Sequence, residues 1–161
     1  MVVDDLATLP VDAVLRPAGE SLEPLAEAAA RLDRIAGQRF ADQHRVSSPL
    51  EAGAAVVTGG GDLPAPFVIH VVIRDSDRPV ARTTVRRALV SAWQQAGEWG
   101  LGRIAAPLVG VDGGLSLEES ANLLVETFPR PGAADHPAEL CIVVERQADR
   151  DAVEAIVRRT A

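Results

Sequence analysis

The chain predicts a three-layer α/β/α fold with a mixed sheet, a single domain over residues 1–161, and three observations carry that expectation. Short apolar runs of strand length alternate with stretches whose apolar residues recur at helical spacings. Strings rich in Gly, Pro and Asp separate them. In the second half, strand and helix alternate one for one, the pattern of parallel strands joined by crossover helices.

Val11 to Leu15 reads as a strand. Leu22, Leu25, Ala29, Leu32 and Ala36 then form one apolar helix face, with Ser21 placed to cap it. Ala54 to Thr58 and Phe67 to Ile73 are two strands, and an antiparallel hairpin is one way to pair them. Gly59-Gly60-Gly61 lies between these strands and precedes no helix, so it reads as a turn rather than a phosphate loop. Val85, Leu89, Ala92, Ala96 and Trp99 share a face of the next helix, with Thr83 or Thr84 as its cap and Gly100 near its end. Trp99 is expected in the core and Trp93 partly exposed, available to a partner. Arg103 to Val109 is a strand, and Gly110 to Gly114 a tight loop. Ser116 caps a helix that buries Leu117, Ala121, Leu124, Val125 and Phe128, and the Ser116 to Glu119 spacing fits a capping box. After the Pro129 to Pro137 loop, Leu140 to Val144 is the last strand. Asp149 opens a final helix with Val153, Ile156 and Val157 inside.

Composition narrows the function. A formal net charge of −7 argues against nucleic acid as a partner, because phosphate binding needs Lys and Arg to displace counterions. Every positive side chain other than His is Arg, and without Lys there is no Schiff-base nucleophile. The lone Cys141 sits in an apolar run, which excludes an internal disulfide and a multi-Cys zinc site. His44 and His136 fall in loops without metal-ligand spacing. His70, between Ile69 and Val71, reads as a hydrogen-bonded core histidine. No metal and no cofactor are expected. No apolar run approaches the roughly 20 residues of a membrane span, and Met1-Val2-Val3-Asp4-Asp5 has no signal-peptide character. The expected location is cytoplasmic, with no membrane partner.

Several strings, in one order, carry a family likeness. They are Gly53-Ala54-Ala55-Val56-Val57-Thr58-Gly59-Gly60, Leu63-Pro64-Ala65, Val68-Ile69-His70, Val85-Arg86-Arg87-Ala88-Leu89 and Gly100-Leu101-Gly102-Arg103-Ile104-Ala105-Ala106-Pro107-Leu108. Together with the spacing from Asp4-Asp5-Leu6 to Asp12-Ala13-Val14-Leu15, the chain resembles a macro domain, the ADP-ribose-binding module. Ala30-Arg31-Leu32-Asp33-Arg34 also resembles the macro-like N-terminal domain of leucine aminopeptidases, whose metal-binding catalytic half has no counterpart here.

The resemblance implies roles position by position. It puts the adenine-binding carboxylate at Asp5, beside Leu6, after a first strand reduced to a stub. It puts Arg16-Pro17-Ala18-Gly19 where the family has Asn-Ala-Ala-Asn, whose second Asn touches the distal ribose. Gly19 offers no side-chain hydrogen bond there, and the chain's one Asn is Asn122. Aligned without a gap, Pro24-Leu25-Ala26-Glu27 replaces the family's Gly run, and Ala29 falls at the catalytic Asp. Pro24 has no N–H to give, and Glu27 brings a negative charge. Leu22 to Ala36 therefore reads as a helix extended through a former binding loop. Gly110, Val111, Asp112, Gly113 and Gly114 join a strand to a helix N-terminus, where free N–H groups favour an anion. The Asp112 carboxylate would compete for those donors, and a self-capped turn is the alternative reading.

The implied function is weak binding of ADP-ribose or a related nucleotide through Asp5, Leu6, Ala18, Gly19 and Gly110 to Gly114. No catalytic residue and no hydrolase activity are expected. A scaffold without a nucleotide site is the main alternative, and an ADP-ribosyl hydrolase the second.

Overall fold

The run Ala13–Gly19 is buried at every position, so it belongs inside a sheet covered on both faces. The computed structural model, which describes residues 2–3, 9–25, 27–42, 50–74, 79–129, 137, 139–144 and 146–160, places it there. The strands are Val2–Val3 (β1), Ala13–Gly19 (β2), Ala55–Gly59 (β3), Phe67–Arg74 (β4), Arg103–Ala106 (β5) and Glu139–Val144 (β6). They form one sheet in the order β1-β6-β5-β2-β4-β3. Among the described residues β3–β4 is the one antiparallel strand pair, so the sheet is mixed.

Glu27–Ala36 (α1) and Gln38–Asp42 (α2) follow β2, and Arg82–Glu98 (α3) leads from β4 to β5. Leu117–Thr127 (α4) leads to β6, and Gln147–Thr160 (α5) ends the described chain. Strand alternation divides the core between the two faces. Ala13, Leu15, Ile69 and Val71 pack with Val85 and Leu89 of α3, Leu123 of α4 and Ile156 of α5. Val14 and Val68 pack with Leu32 and Ala36 of α1 and Phe40 of α2. The expected three layers follow. Ser116 caps α4 through the capping box: its Oγ accepts from the Glu119 N–H at 3.0 Å, and Glu119 Oε1 accepts from the Ser116 N–H at 3.2 Å.

Five expectations need correction. The helix read from Leu22 to Ala36 begins only at Glu27. Pro24 holds the residue before it out of helical geometry and bridges antiparallel to Ala18. Leu22 takes a left-handed φ of 62° and is buried beside Ala18 and Val72. The former loop is a loop still. The two tryptophans exchange places: Trp93 is 1% exposed and Trp99 is 53% exposed. Two layers cover α3, the sheet on one side and α4 on the other, so it needs a second apolar face. On that face Trp93 donates to Thr127 Oγ1 at 2.9 Å and meets Phe128 edge-on. The start of α3 is Ala81, without a side-chain cap, rather than Thr83 or Thr84. Finally, the strand read from Val11 to Leu15 spans Ala13–Gly19, and β5 ends at Ala106 rather than Val109.

Candidate functional site

The topology alone selects one rim of the sheet. β2 and β5 are parallel neighbours at its centre. The chain leaves β2 toward β4 and β3 on one side, and leaves β5 toward β6 on the other. Diverging connections leave a crevice at the C-terminal ends of two such strands, the usual ligand position in α/β sheets. Val14 pairs with Ala105. Gly19 and Gly110 follow these two residues by the same number of positions, so both glycines reach that rim. Sequence reading had placed both in the site.

After β5 the chain enters a 3-10 turn, Val111–Gly113, flanked by Gly110 with φ 90° and Gly114 with φ 117°. These left-handed values explain both glycines. The N–H groups of Gly113 and Leu115 return to the Gly110 carbonyl, and that of Gly114 to Val111. Among the described residues, none of the turn's hydrogen bonds uses the N–H groups of Val111 and Asp112. Gly113 has a further reason to be glycine, since a Cβ there would overlap the Val80 side chain.

On the β2 side, Ala18 is fully buried against Leu22 and Val72. The loop after Gly19 turns its donors inward. The Gly19 N–H donates to the Glu23 carbonyl, Leu22 to Gly19 and Leu25 to Pro17. The Ser21 N–H donates to Glu23 Oε2 at 3.1 Å. Pro24 has no N–H. A backbone cradle for phosphate is therefore not available from these groups. Asp5 and Leu6 lie outside the described residues, as do His44, His136 and the side chains of Glu27 and Asp112. Ala29 is buried in α1 and presents a methyl group where the resemblance implies a carboxylate.

Behind the rim lies a buried polar cluster that sequence reading missed in part. The Arg16 guanidinium, with no exposure, makes a two-pronged ion pair with Asp33 of α1: Nε to Oδ1 and Nη2 to Oδ2, each 2.7 Å. Its Nη1 lies 3.2 Å from His70 Nδ1. An arginine only donates, so His70 accepts through Nδ1 and carries its proton on Nε2. That proton points to Thr58 Oγ1 at 2.8 Å, and the Thr58 hydroxyl donates to the Gly59 carbonyl. Phe40 stacks on the imidazole, ring centroids 5.7 Å apart, with the guanidinium 5.9 Å from its own centroid. His70 is thus the hydrogen-bonded core histidine its strand position implies. Arg16 was legible only as a charge inside an otherwise apolar strand.

Two more polar groups at the rim were not singled out. A Cβ built on Gly19 would overlap the Glu23 carboxylate, which occupies the space of the missing side chain. Arg74 ends β4 as the Cα partner of Gly19, after a register shift. Among the described residues no group of three or more metal-ligating side chains gathers at this rim or elsewhere.

Comparison with known proteins agrees with the architecture. A macrodomain of Oceanobacillus iheyensis, in a variant solved with ADPR, superposes with a TM-score of 0.82 at 17% identity, covering 98% of this chain and 90% of that one. A Trypanosoma brucei macrodomain in complex with ADP superposes with a TM-score of 0.79 at 20% identity, covering 95% and 66%. In sequence, an uncharacterized protein of Aeropyrum pernix is 33% identical over 119 residues. An uncharacterized protein of Mycobacterium tuberculosis is 29% identical over 132. The chain spans 63% of the first relative's length and 37% of the second's. The family model of the macro domain matches residues 16–124, more than half of the chain, and the chain belongs to the macro-domain family.

Proposed function

We propose that this chain binds ADP-ribose or a related nucleotide weakly at the rim between β2 and β5, and does not hydrolyse it. The carrying observation is the Gly110 to Gly114 turn. It stands at the switch point, is held open by two left-handed glycines, and keeps the N–H groups of Val111 and Asp112 out of its own hydrogen bonds. The binding is weak because the β2 loop engages its own donors. Charge-assisted hydrogen bonds contribute about 1.5–3 kcal/mol each. Two or three fewer of them lower affinity by several powers of ten, at about 1.4 kcal/mol per tenfold. Hydrolysis has no support at Gly19 and Ala29, neither of which carries a group to orient or activate water.

Titration calorimetry with ADP-ribose, AMP and a blank tests the reading. The expected dissociation constant for ADP-ribose is on the order of 1 mM, with no release of ADP-ribose from modified protein. Asp112→Gly removes a negative charge from the turn and is expected to tighten binding. Low-micromolar binding by the wild-type chain, or weaker binding by Asp112→Gly, would show the degenerate-cleft reading to be wrong. The second reading, a scaffold without a nucleotide site, draws on the inward-turned N–H groups of Gly19, Ser21, Leu22 and Leu25. It is the outcome if ADP-ribose gives no more heat than the blank.

A further inference from the structure

The buried cluster behind the rim accommodates one protonation state of His70. The Arg16 guanidinium can only donate, and its Nη1 stands 3.2 Å from Nδ1, so that nitrogen must keep its lone pair. The other ring nitrogen faces Thr58 Oγ1 at 2.8 Å, and the Thr58 proton is committed to the Gly59 carbonyl. A second proton on the ring would turn two donors, and two positive charges, toward each other at 3.2 Å. Arg16 and His70 are both fully buried, where salt and water screen them little. Asp33 offsets one positive charge and not two, and both its oxygens are engaged by Arg16.

The elements around the ring present few other charges. From α2 Phe40 stacks on the imidazole, while Arg39 and Asp42 are exposed. Arg34 of α1 is exposed as well. On β4 the other charge on the His70 face is Arg74, four positions on and about 13 Å along the strand, and it is a further cation. The layer over this cluster is also the lighter of the two. α1 and α2 have 10 and 5 residues and bury Ala29, Leu32, Ala36 and Phe40. On the opposite face α3 alone has 17 residues and buries six side chains, Trp93 among them. Fewer buried apolar groups mean a smaller free energy of local opening. Phe40 covers the ring and Asp33 holds the guanidinium, so lifting α1 and α2 exposes both cations to water.

We infer that His70 is an acid-sensitive latch: with its ring neutral it holds α1 and α2 on the sheet, and its protonation releases that layer ahead of the rest of the fold. In an opened chain a histidine takes up its proton at about pH 6.5, whereas the closed geometry holds the neutral ring. The opened state therefore binds more protons, and the layer loses stability as pH falls below that value. α1 starts just beyond the β2 loop, so its release unties one end of the rim segment from Gly19 to Leu25. Nothing in the latch requires a nucleotide.

Hydrogen exchange of the whole chain, followed by NMR and corrected for the intrinsic pH dependence of exchange, tests the latch. The amides of α1 and α2 are expected to be less protected than those of α3. Their protection should fall about tenfold from about pH 7.5 to about pH 5.5, the effect of one ordinary histidine protonating on opening. His70→Gln keeps an acceptor and a donor but does not titrate, so its α1 protection should be flat over this range, whatever its absolute value. His44→Gln with His136→Gln removes the chain's other two histidines and should keep the tenfold fall. If His70→Gln does not fold, the ring is read in the wild-type chain: its nitrogen chemical shifts should show the proton on Nε2 alone until α1 begins to exchange. Protection of α1 equal to that of α3 would overturn the latch. So would a fall that survives His70→Gln or vanishes without His44 and His136, or a doubly protonated ring while α1 stays closed.

Discussion

Replacing Asp33 by Ala tests the cluster that fastens α1 to β2. Arg16 has no exposure and depends on Asp33 for two hydrogen bonds of 2.7 Å. Removing one partner of a buried ion pair costs about 3–5 kcal/mol, because the other charge remains desolvated. The Asp33 side chain is 24% exposed, so water can reach the vacated site, and the lower end, about 3 kcal/mol, is expected. For a domain of this length each kcal/mol moves the melting temperature by about 2–4 °C, so Tm should fall by about 6–12 °C. Urea unfolding followed by circular dichroism gives the free energy, and an unchanged m value shows that the transition remains comparable. The double variant Arg16→Met with Asp33→Leu removes both charges together. It should be more stable than Asp33→Ala, although His70 Nδ1 then loses its donor. A cost below about 1 kcal/mol for Asp33→Ala would refute the reasoning. So would a double variant less stable than the single one.

Three further outcomes follow from the packing. Trp93→Ala should cost about 3–5 kcal/mol and Trp99→Ala under about 1 kcal/mol, as measured by urea unfolding; similar values would mean that their burial has been misassigned. Gly114→Ala should cost about 1–2 kcal/mol from backbone strain alone, since nothing stands within 4 Å of its Cβ position. Gly110→Ala should cost more, because its Cβ would also press on Leu115 at 2.7 Å; equal melting temperatures for the two variants would contradict this. Ser116→Ala should lower stability by about 1 kcal/mol through loss of the capping box, and a hydrogen-exchange experiment should locate the loosening in the first turn of α4.

The sheet was legible because its signal is periodic and local. β4 reads as a strand from its own residues, and β3 from the Gly turn that follows it. The parallel pairing of the second half was legible from the alternation of strand and helix, whereas the order β1-β6-β5-β2-β4-β3 is seen only in the structure. The start of α1 was misread for a local reason as well. Leu22 and Leu25 fit a helical spacing, and Pro24 is tolerated in a first turn, so the apolar pattern concealed what Pro24 does to Glu23. The tryptophans were misassigned because a one-faced helix was assumed, whereas α3 is covered on two sides. The polar cluster was hidden for a different reason. Arg16, Asp33, Thr58 and His70 come from four elements, and only the pairing of β2, β3 and β4 brings them together.

The loop after β2 connects these observations. Arg16 and Asp33 fix the start of the strand's last turn of chain against α1, so the segment between Gly19 and Glu27 must reverse within a short span. Leu22 fills the pocket formed by Ala18 and Val72 and sets the left-handed kink at the apex. Pro24 then lays the returning chain against Ala18. A reversal this tight turns the Gly19, Leu22 and Leu25 N–H groups onto nearby carbonyls and that of Ser21 onto the Glu23 carboxylate, and those donors are lost to a ligand. It also swings Glu23 back over Gly19. The geometry that removes a backbone cradle for phosphate is therefore the same geometry that delivers a carboxylate to the rim. In the Gly110 to Gly114 turn the reversal is made by left-handed glycines instead, and among the described residues the Val111 and Asp112 N–H groups take no part in the turn's own hydrogen bonds.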